Sequence, residues 1–153
     1  MIYVECKPDE VLVRAVSGLP VRQIVHGLKG KYGVAAQLNK QNGARAMVDE
    51  DPGANQPAYF NRMSIAQELE PLGLRLWQHT ARGNLVVVLR PRLEEWILRA
   101  AQEAQVNLAS YNLPASASGL KSEITHSLDR FQRLVAHLQE TPRLKSLREL
   151  LRM

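Results

Sequence analysis

The chain has 153 residues, 45% of them hydrophobic and 23% charged, with a net charge of +5. That is the length of one ordinary domain, enough to bury a proper core, and the balance is that of a water-soluble globular protein. One cysteine, Cys6, excludes an internal disulfide and fits a reducing cytosol; the chain has no apolar run of membrane-span length, and Met1-Ile2-Tyr3-Val4-Glu5 lacks a signal-peptide layout, so the expectation is a cytoplasmic protein with no membrane partner.

Met1 to Val4 is apolar from the first residue and predicts a buried central strand ending at Glu5. Pro8 suits the first turn of a helix, where its missing N–H is no loss. Val11, Leu12, Ala15 and Val16 recur at helical spacing, and Gly18 and Pro20 stop the helix. Gln23-Ile24-Val25-His26 predicts a short second strand. Gly27 to Gly33 follows as a loop, then a helix through Val34, Ala35 and Leu38 to the Asn42-Gly43 turn. Ala44-Arg45-Ala46-Met47-Val48 predicts a third strand, which runs into Asp49-Glu50-Asp51 and is broken by Pro52-Gly53.

This β-α-β-α-β alternation predicts a parallel sheet with right-handed crossovers. Ligands of such sheets bind at the carboxyl ends of the strands. Glu5 and Asp49 both fall at strand carboxyl ends, and if strands one and three are neighbours, Glu5, Asp49 and Asp51 converge. Two acids one residue apart at such an end can aim their oxygens at a hard cation such as Mg²⁺. The plainer alternative is an acidic loop that caps the next helix. Three packed carboxylates repel one another unless a cation neutralises them or one takes a proton.

Tyr3-Val4-Glu5, a helix, and an apolar strand closing in Asp49-Glu50-Asp51 together resemble the Toprim domain, shared by topoisomerases, primases, OLD-type nucleases and small stand-alone proteins. The resemblance covers roughly residues 1–90. It implies an α/β, Rossmann-like fold with a central, mostly parallel sheet flanked by helices. It implies Glu5 as general acid/base or metal ligand, and Asp49 and Asp51 as the pair holding Mg²⁺ or Mn²⁺. Asp9, four residues after Glu5, stands where the OLD-like branch carries a second acid. Where Toprim proteins usually have Gly after the glutamate, this chain has Cys6.

His26-Gly27-Leu28-Lys29-Gly30-Lys31-Tyr32-Gly33 could cradle a phosphate with backbone N–H groups and ammonium charges, or be a flexible turn with solvated lysines. It is not a Walker A loop, because the glycine spacing and the Lys-Ser/Thr ending are missing. The Toprim resemblance makes Lys29 and Lys31, with Lys7 beside Glu5, the contacts to a nucleic-acid backbone.

Pro57 to Glu70 predicts a helix through Tyr59, Met63, Ile65, Ala66 and Leu69, ended by Pro71 and Gly73. Leu74 to His79 and Leu85 to Leu89 predict an antiparallel hairpin around Thr80 to Asn84. Pro91 opens a helix with Leu93, Trp96, Ile97 and Ala100 on one face. Glu94 and Glu95 in its first turn complement the helix dipole, or one of them, Glu94 foremost, adds a carboxylate to the metal site. Residues 106–119 read as a long loop, followed by one helix from Leu120 to Leu138 and a last one opened by Thr141-Pro142.

The expectation is thus a single domain over 1–153, an α/β core over 1–90 and a helical extension over 91–153. Lys and Arg number 13 against 11 acids up to residue 113 and 7 against 4 beyond it, so more than half the positive excess lies in the last quarter. That suits a polyanionic partner without requiring one. Zinc-type clusters, a dinucleotide fingerprint and a serine-histidine-acid arrangement are missing from the sequence. Three functions are expected to compete. One is a metal-dependent nucleic-acid phosphodiester enzyme of nuclease type. The second is a non-catalytic Toprim-like module, alone as a homodimer or beside an ATPase. The third is an α/β domain whose acids merely cap helices.

Overall fold

The structure is a computed structural model that describes all residues 1–153. The first strand, β1 (Ile2–Val4), is followed by α1 (Lys7–Ser17), β2 (Ile24–Val25), α2 (Gly30–Leu38) and β3 (Arg45–Asp49). Next come a one-turn helix α3 (Ala58–Asn61) and three strands, β4 (Ser64–Leu69), β5 (Leu74–His79) and β6 (Asn84–Leu89). The chain closes with α4 (Leu93–Glu103), α5 (Ala117–Ile124), α6 (Leu128–His137) and α7 (Pro142–Leu151).

All six strands form one sheet in the order β2-β1-β3-β6-β5-β4. The first four in that order run parallel, and β5 and β4 complete the sheet antiparallel. The expected α/β class, the β1–β3 neighbourhood and the β5–β6 hairpin are all present. Alternate side chains of the central strands enter two cores, as a pleated strand covered on both faces requires. Met47, Val87 and Leu89 join the larger core under α1 and α4 to α7, while Ala46, Val48, Val86 and Val88 join the smaller one under α2 and α3.

The larger core holds Ile2 and Val4 together with Phe131, Leu134, Leu144 and Leu147. Helices α6 and α7 therefore share the core of the sheet and pack on α1. With a 28-residue cluster on that face against 10 on the other, the C-terminal third supplies much of the core and is no appendage to a finished domain.

Three expectations are corrected. The helix expected over Pro57–Glu70 is only one turn long, and Ser64–Leu69 is the edge strand β4, paired antiparallel with β5. Ser64 to Glu68 are exposed, so no apolar face has to be buried, and pairing with β5 overrides the local helical spacing. The single helix expected over 120–138 is two, broken at Ser127, which turns the chain so that Ile124 and Phe131 both reach the larger core. The expected loop of 106–119 contains a 3₁₀ turn, Leu108–Tyr111, whose Asn107 side chain accepts the Ala109 N–H at 3.0 Å, and it buries Leu108 and Leu113.

Candidate metal centre

The site is a product of strand polarity and register. In the β1–β3 ladder Val4 lies opposite Met47, and in the β3–β6 ladder Asp49 lies opposite Leu89. Three parallel strands therefore end together, delivering Glu5, Asp49 to Asp51 and Arg90 to Arg92 to one edge. Helices α1 and α4 begin just after β1 and β6, so both point their positive ends at the same place.

Glu5, Asp49 and Asp51 each offer a carboxylate oxygen, and the three oxygens lie within 4.8 Å of one another. Two of the acids are braced by backbone. Glu5 Oε2 accepts the Asp49 N–H at 2.9 Å, and Asp49 Oδ1 accepts the Leu93 N–H, the first of α4, at 3.0 Å. Asp51 is braced by cations instead. Lys31 Nζ lies 3.1 Å from its Oδ2 and Arg92 Nε 3.1 Å from its Oδ1. The residue sits in the left-handed region at φ 50°, and its N–H donates to the Pro91 carbonyl at 3.1 Å.

The acids strain one another. Burial, then the charges of Asp9, Glu5, Asp51 and Glu94, push the Asp49 carboxyl up to about 9. Burial also raises Glu5, against the opposing pull of the Asp49 N–H and Lys31. Asp9 is pushed up to about 7, by burial first and then by Glu5 and Glu94, although the Cys6 hydrogen bonds oppose the rise. Asp49 thus keeps its proton at neutral pH and Asp9 titrates there, unless another positive charge is supplied.

Asp9 and Glu94 stand beside this trio without joining it. Asp9 is buried and accepts both the Cys6 N–H, at 3.2 Å, and the Cys6 thiol, at 3.1 Å, closing the first turn of α1 as a capping acid. Glu94, in the first turn of α4, contributes charge that raises Glu5, Asp9 and Asp49, and it lies outside the oxygens that can meet on one ion.

The three lysines part company. Lys7 and Lys29 are exposed. Lys31 is not in a loop: α2 starts at Gly30, and Lys31 is only 8% exposed, donating to the Glu50 carbonyl at 3.2 Å and Gln56 Oε1 at 3.1 Å as well as pairing with Asp51. Its expected role as a contact to an outside backbone is corrected: it is an internal counter-ion, drawn in by the cost of leaving the acids uncompensated. The tight path into α2 depends on Gly33, where a Cβ would sit 1.3 Å from the Leu28 carbonyl oxygen.

Arg92 went unnoticed in the sequence, as did the role of Glu50. Glu50 Oε2 pairs with Arg90 at 2.9 Å and lies 3.7 Å from Arg75, and both arginines pair with Glu68 of β4. The middle acid of Asp49-Glu50-Asp51 thus faces away from the trio and ties the loop to the far side of the sheet. The available signal was position: residues just past β6 share the edge where β1 and β3 end.

The donor set suits a small hard cation. An octahedral Mg²⁺ with bonds of ~2.1 Å places opposite donors ~4.2 Å apart, and three oxygens within 4.8 Å of one another come close to that spacing. Beside the trio lies an open cleft of about 510 Å³, lined by Glu50, Glu70, Arg90, Glu95, Arg99 and Arg143 among others. Its arginines at 90 and 143 are held by Glu50, Glu68 and Glu103, so it is no basic channel for a phosphate backbone. No helix is long and apolar enough to cross a membrane. Compared with known protein families, curated proteins and solved structures, the chain matches none, so its site rests on its own geometry.

Proposed function

We propose that this protein is a metal-dependent nucleic-acid phosphodiester enzyme of Toprim-like type, acting as a nuclease with Mg²⁺ or Mn²⁺. The observation that carries the proposal is the meeting of Glu5, Asp49 and Asp51 within 4.8 Å at the carboxyl edge of the parallel strands. The bound cation would supply Lewis-acid stabilisation of charge on a phosphate oxygen. Asp49 and Asp51 would hold it, with Glu5 as third ligand or as the base that takes a proton from the attacking water. Burial raises the Glu5 carboxyl, which makes its ionised form a stronger base than that of an exposed glutamate. Lys7 and Lys29, exposed near the same strand ends, would meet the nucleic-acid backbone.

A second reading, a Toprim-like binding module without chemistry, is favoured by one contact. The buried Lys31 ammonium already offsets part of the negative charge from inside the fold. One experiment separates the two. Mn²⁺ is titrated calorimetrically into wild type and Asp49→Asn, and mixed DNA and RNA substrates are then incubated with both. Micromolar Mn²⁺ binding and strand cleavage, each lost in the variant, support the enzyme. Binding without cleavage moves the weight to the module, and equal or absent binding in both proteins removes the metal centre.

A further inference from the structure

Asp51 has a cation on each carboxylate oxygen, and the two cations differ in how firmly they are held. Lys31 is 8% exposed and has two further acceptors, the Glu50 carbonyl at 3.2 Å and Gln56 Oε1 at 3.1 Å, so three groups define its place. The Arg92 side chain is 40% exposed, meets Asp51 Oδ1 at 3.1 Å, and has beyond that only Glu95 Oε1 at 3.8 Å. An ammonium buried among fixed acceptors is costly to move, whereas a half-exposed guanidinium on one carboxylate can leave it for little.

We infer that Arg92 is an exchangeable counter-ion that couples cation binding to phosphate binding. Without a divalent cation it occupies Asp51 Oδ1. When a divalent cation takes that oxygen, the guanidinium is released at the rim of the same site. It then binds the two non-bridging oxygens of a substrate phosphodiester, a pair of acceptors that its planar fork of N–H donors matches. Nothing covalent changes; one charge-assisted hydrogen bond is exchanged for another. Lys31 stays in place throughout. The inference rests on the divalent-cation reading of the trio and assigns to it a residue that selects for phosphate.

The position of Arg92 supports this. It is the residue before the first turn of α4, one residue from the N–H that holds Asp49. Its backbone is therefore anchored by the same helix that braces the trio, while its side chain is free to swing. A release that moves only the side chain leaves the other ligands undisturbed.

The test measures two affinities in three variants. Mn²⁺ binding is read by calorimetry. Binding of a short fluorescein-labelled single-stranded DNA is read by anisotropy, with Mn²⁺ or with EDTA and at a temperature where turnover is negligible. Arg92→Ala removes the competitor for Asp51 and is expected to tighten Mn²⁺ about three- to tenfold, the scale of one partly exposed ion pair. The same variant is expected to weaken DNA binding about tenfold with Mn²⁺ and less than about twofold in EDTA, where wild-type Arg92 is tied to Asp51. Arg92→Lys, which keeps the charge without the fork, is expected to recover Mn²⁺ competition and only part of the DNA affinity. Arg99→Ala, two turns along α4 and without an ion pair, removes the same charge and is expected to change either affinity by less than about twofold.

Equal weakening of DNA binding with and without Mn²⁺ in Arg92→Ala would make Arg92 a plain surface charge and overturn the exchange. So would Mn²⁺ affinity unchanged in Arg92→Ala while Asp49→Asn abolishes it, an outcome that leaves the metal centre intact. Wild type that binds no Mn²⁺ removes both the centre and the exchange.

Discussion

Asp49→Asn is expected to make the metal-free protein more stable at pH 8 while destroying its response to Mn²⁺. The Asp49 carboxyl is raised from 3.8 to about 9, by burial first and then by Asp9, Glu5, Asp51 and Glu94. For an acid raised on folding, the associated cost is absent below the unfolded value, grows as pH rises, and levels off above the folded value. At pH 8 the interval crossed is about 4 units, a ceiling of ~6 kcal/mol at ~1.4 kcal/mol per unit, were Asp49 to bear it alone. Asp9 and Glu5 share the repulsion and relax with it, so the expected gain is about a third of that, ~2 kcal/mol. Asparagine keeps the acceptor for the Leu93 N–H, so the bracing of α4 survives the change. For a chain of this length ~2 kcal/mol raises the melting temperature by ~4–8 °C. Thermal melts at pH 8 and pH 5, with and without Mn²⁺, check it. The gain should shrink at pH 5, and Mn²⁺ should raise the melting temperature of the wild type alone. A variant less stable than wild type at pH 8 without metal would refute the claim that the neighbouring charges strain this carboxylate.

Mn²⁺ affinity of the wild type should climb as pH rises from 6 to 9, with protons released on binding, because the cation displaces the protons held by Asp9 near 7 and Asp49 near 9; calorimetry in buffers of different ionisation heat reads the release, and a flat profile would count against the site. Lys31→Met should cost about 3–5 kcal/mol in urea melts without metal, since it leaves Asp51, the Glu50 carbonyl and Gln56 without their shared donor. Mn²⁺ should return part of that loss, and no return would detach Lys31 from the cation site. Gly33→Ala should be more damaging than a helical Gly→Ala usually is, because the added Cβ meets the Leu28 carbonyl oxygen at 1.3 Å and the start of α2 must shift; circular dichroism melts test it, and a neutral or stabilising effect would contradict that packing. Asn84→Leu should cost about 2–4 kcal/mol in the same melts, because its amide serves the Leu38 and Gln41 carbonyls, Tyr59 Oη and the Ala44 N–H in a buried position; a loss under 1 kcal/mol would mean water replaces them.

Much of the acidic edge was legible from local pattern. Strand β1 is an apolar run from the first residue, β3 is a short apolar run with breakers on either side, and an alternation of strands and helices orients them in parallel. Once they are parallel, the residues that follow them share an edge, so Glu5, Asp49 and Asp51 group together from the sequence alone. The β5–β6 hairpin and α4 were equally plain, since each is long, periodic and marked at its ends. Segment 57–70 was misread for the converse reason: an edge strand that buries neither face carries no alternation, and a few apolar residues at helical spacing filled the gap.

What no local pattern could supply is which distant segments meet. The insertion of β6 against β3 brings the Leu93 N–H onto Asp49 and Arg92 onto Asp51 across more than 40 residues of chain. The burial of Lys31 reverses its meaning, from a charge offered outward to one spent on Asp51, and depends on where α2 docks over the β3 end. Periodicity and turn residues report the conformation of neighbours along the chain, so strand ends and their acids could be read from sequence. Counter-ions, burial and the resulting proton affinities arise from contacts between segments far apart in sequence, and only the folded arrangement decides them.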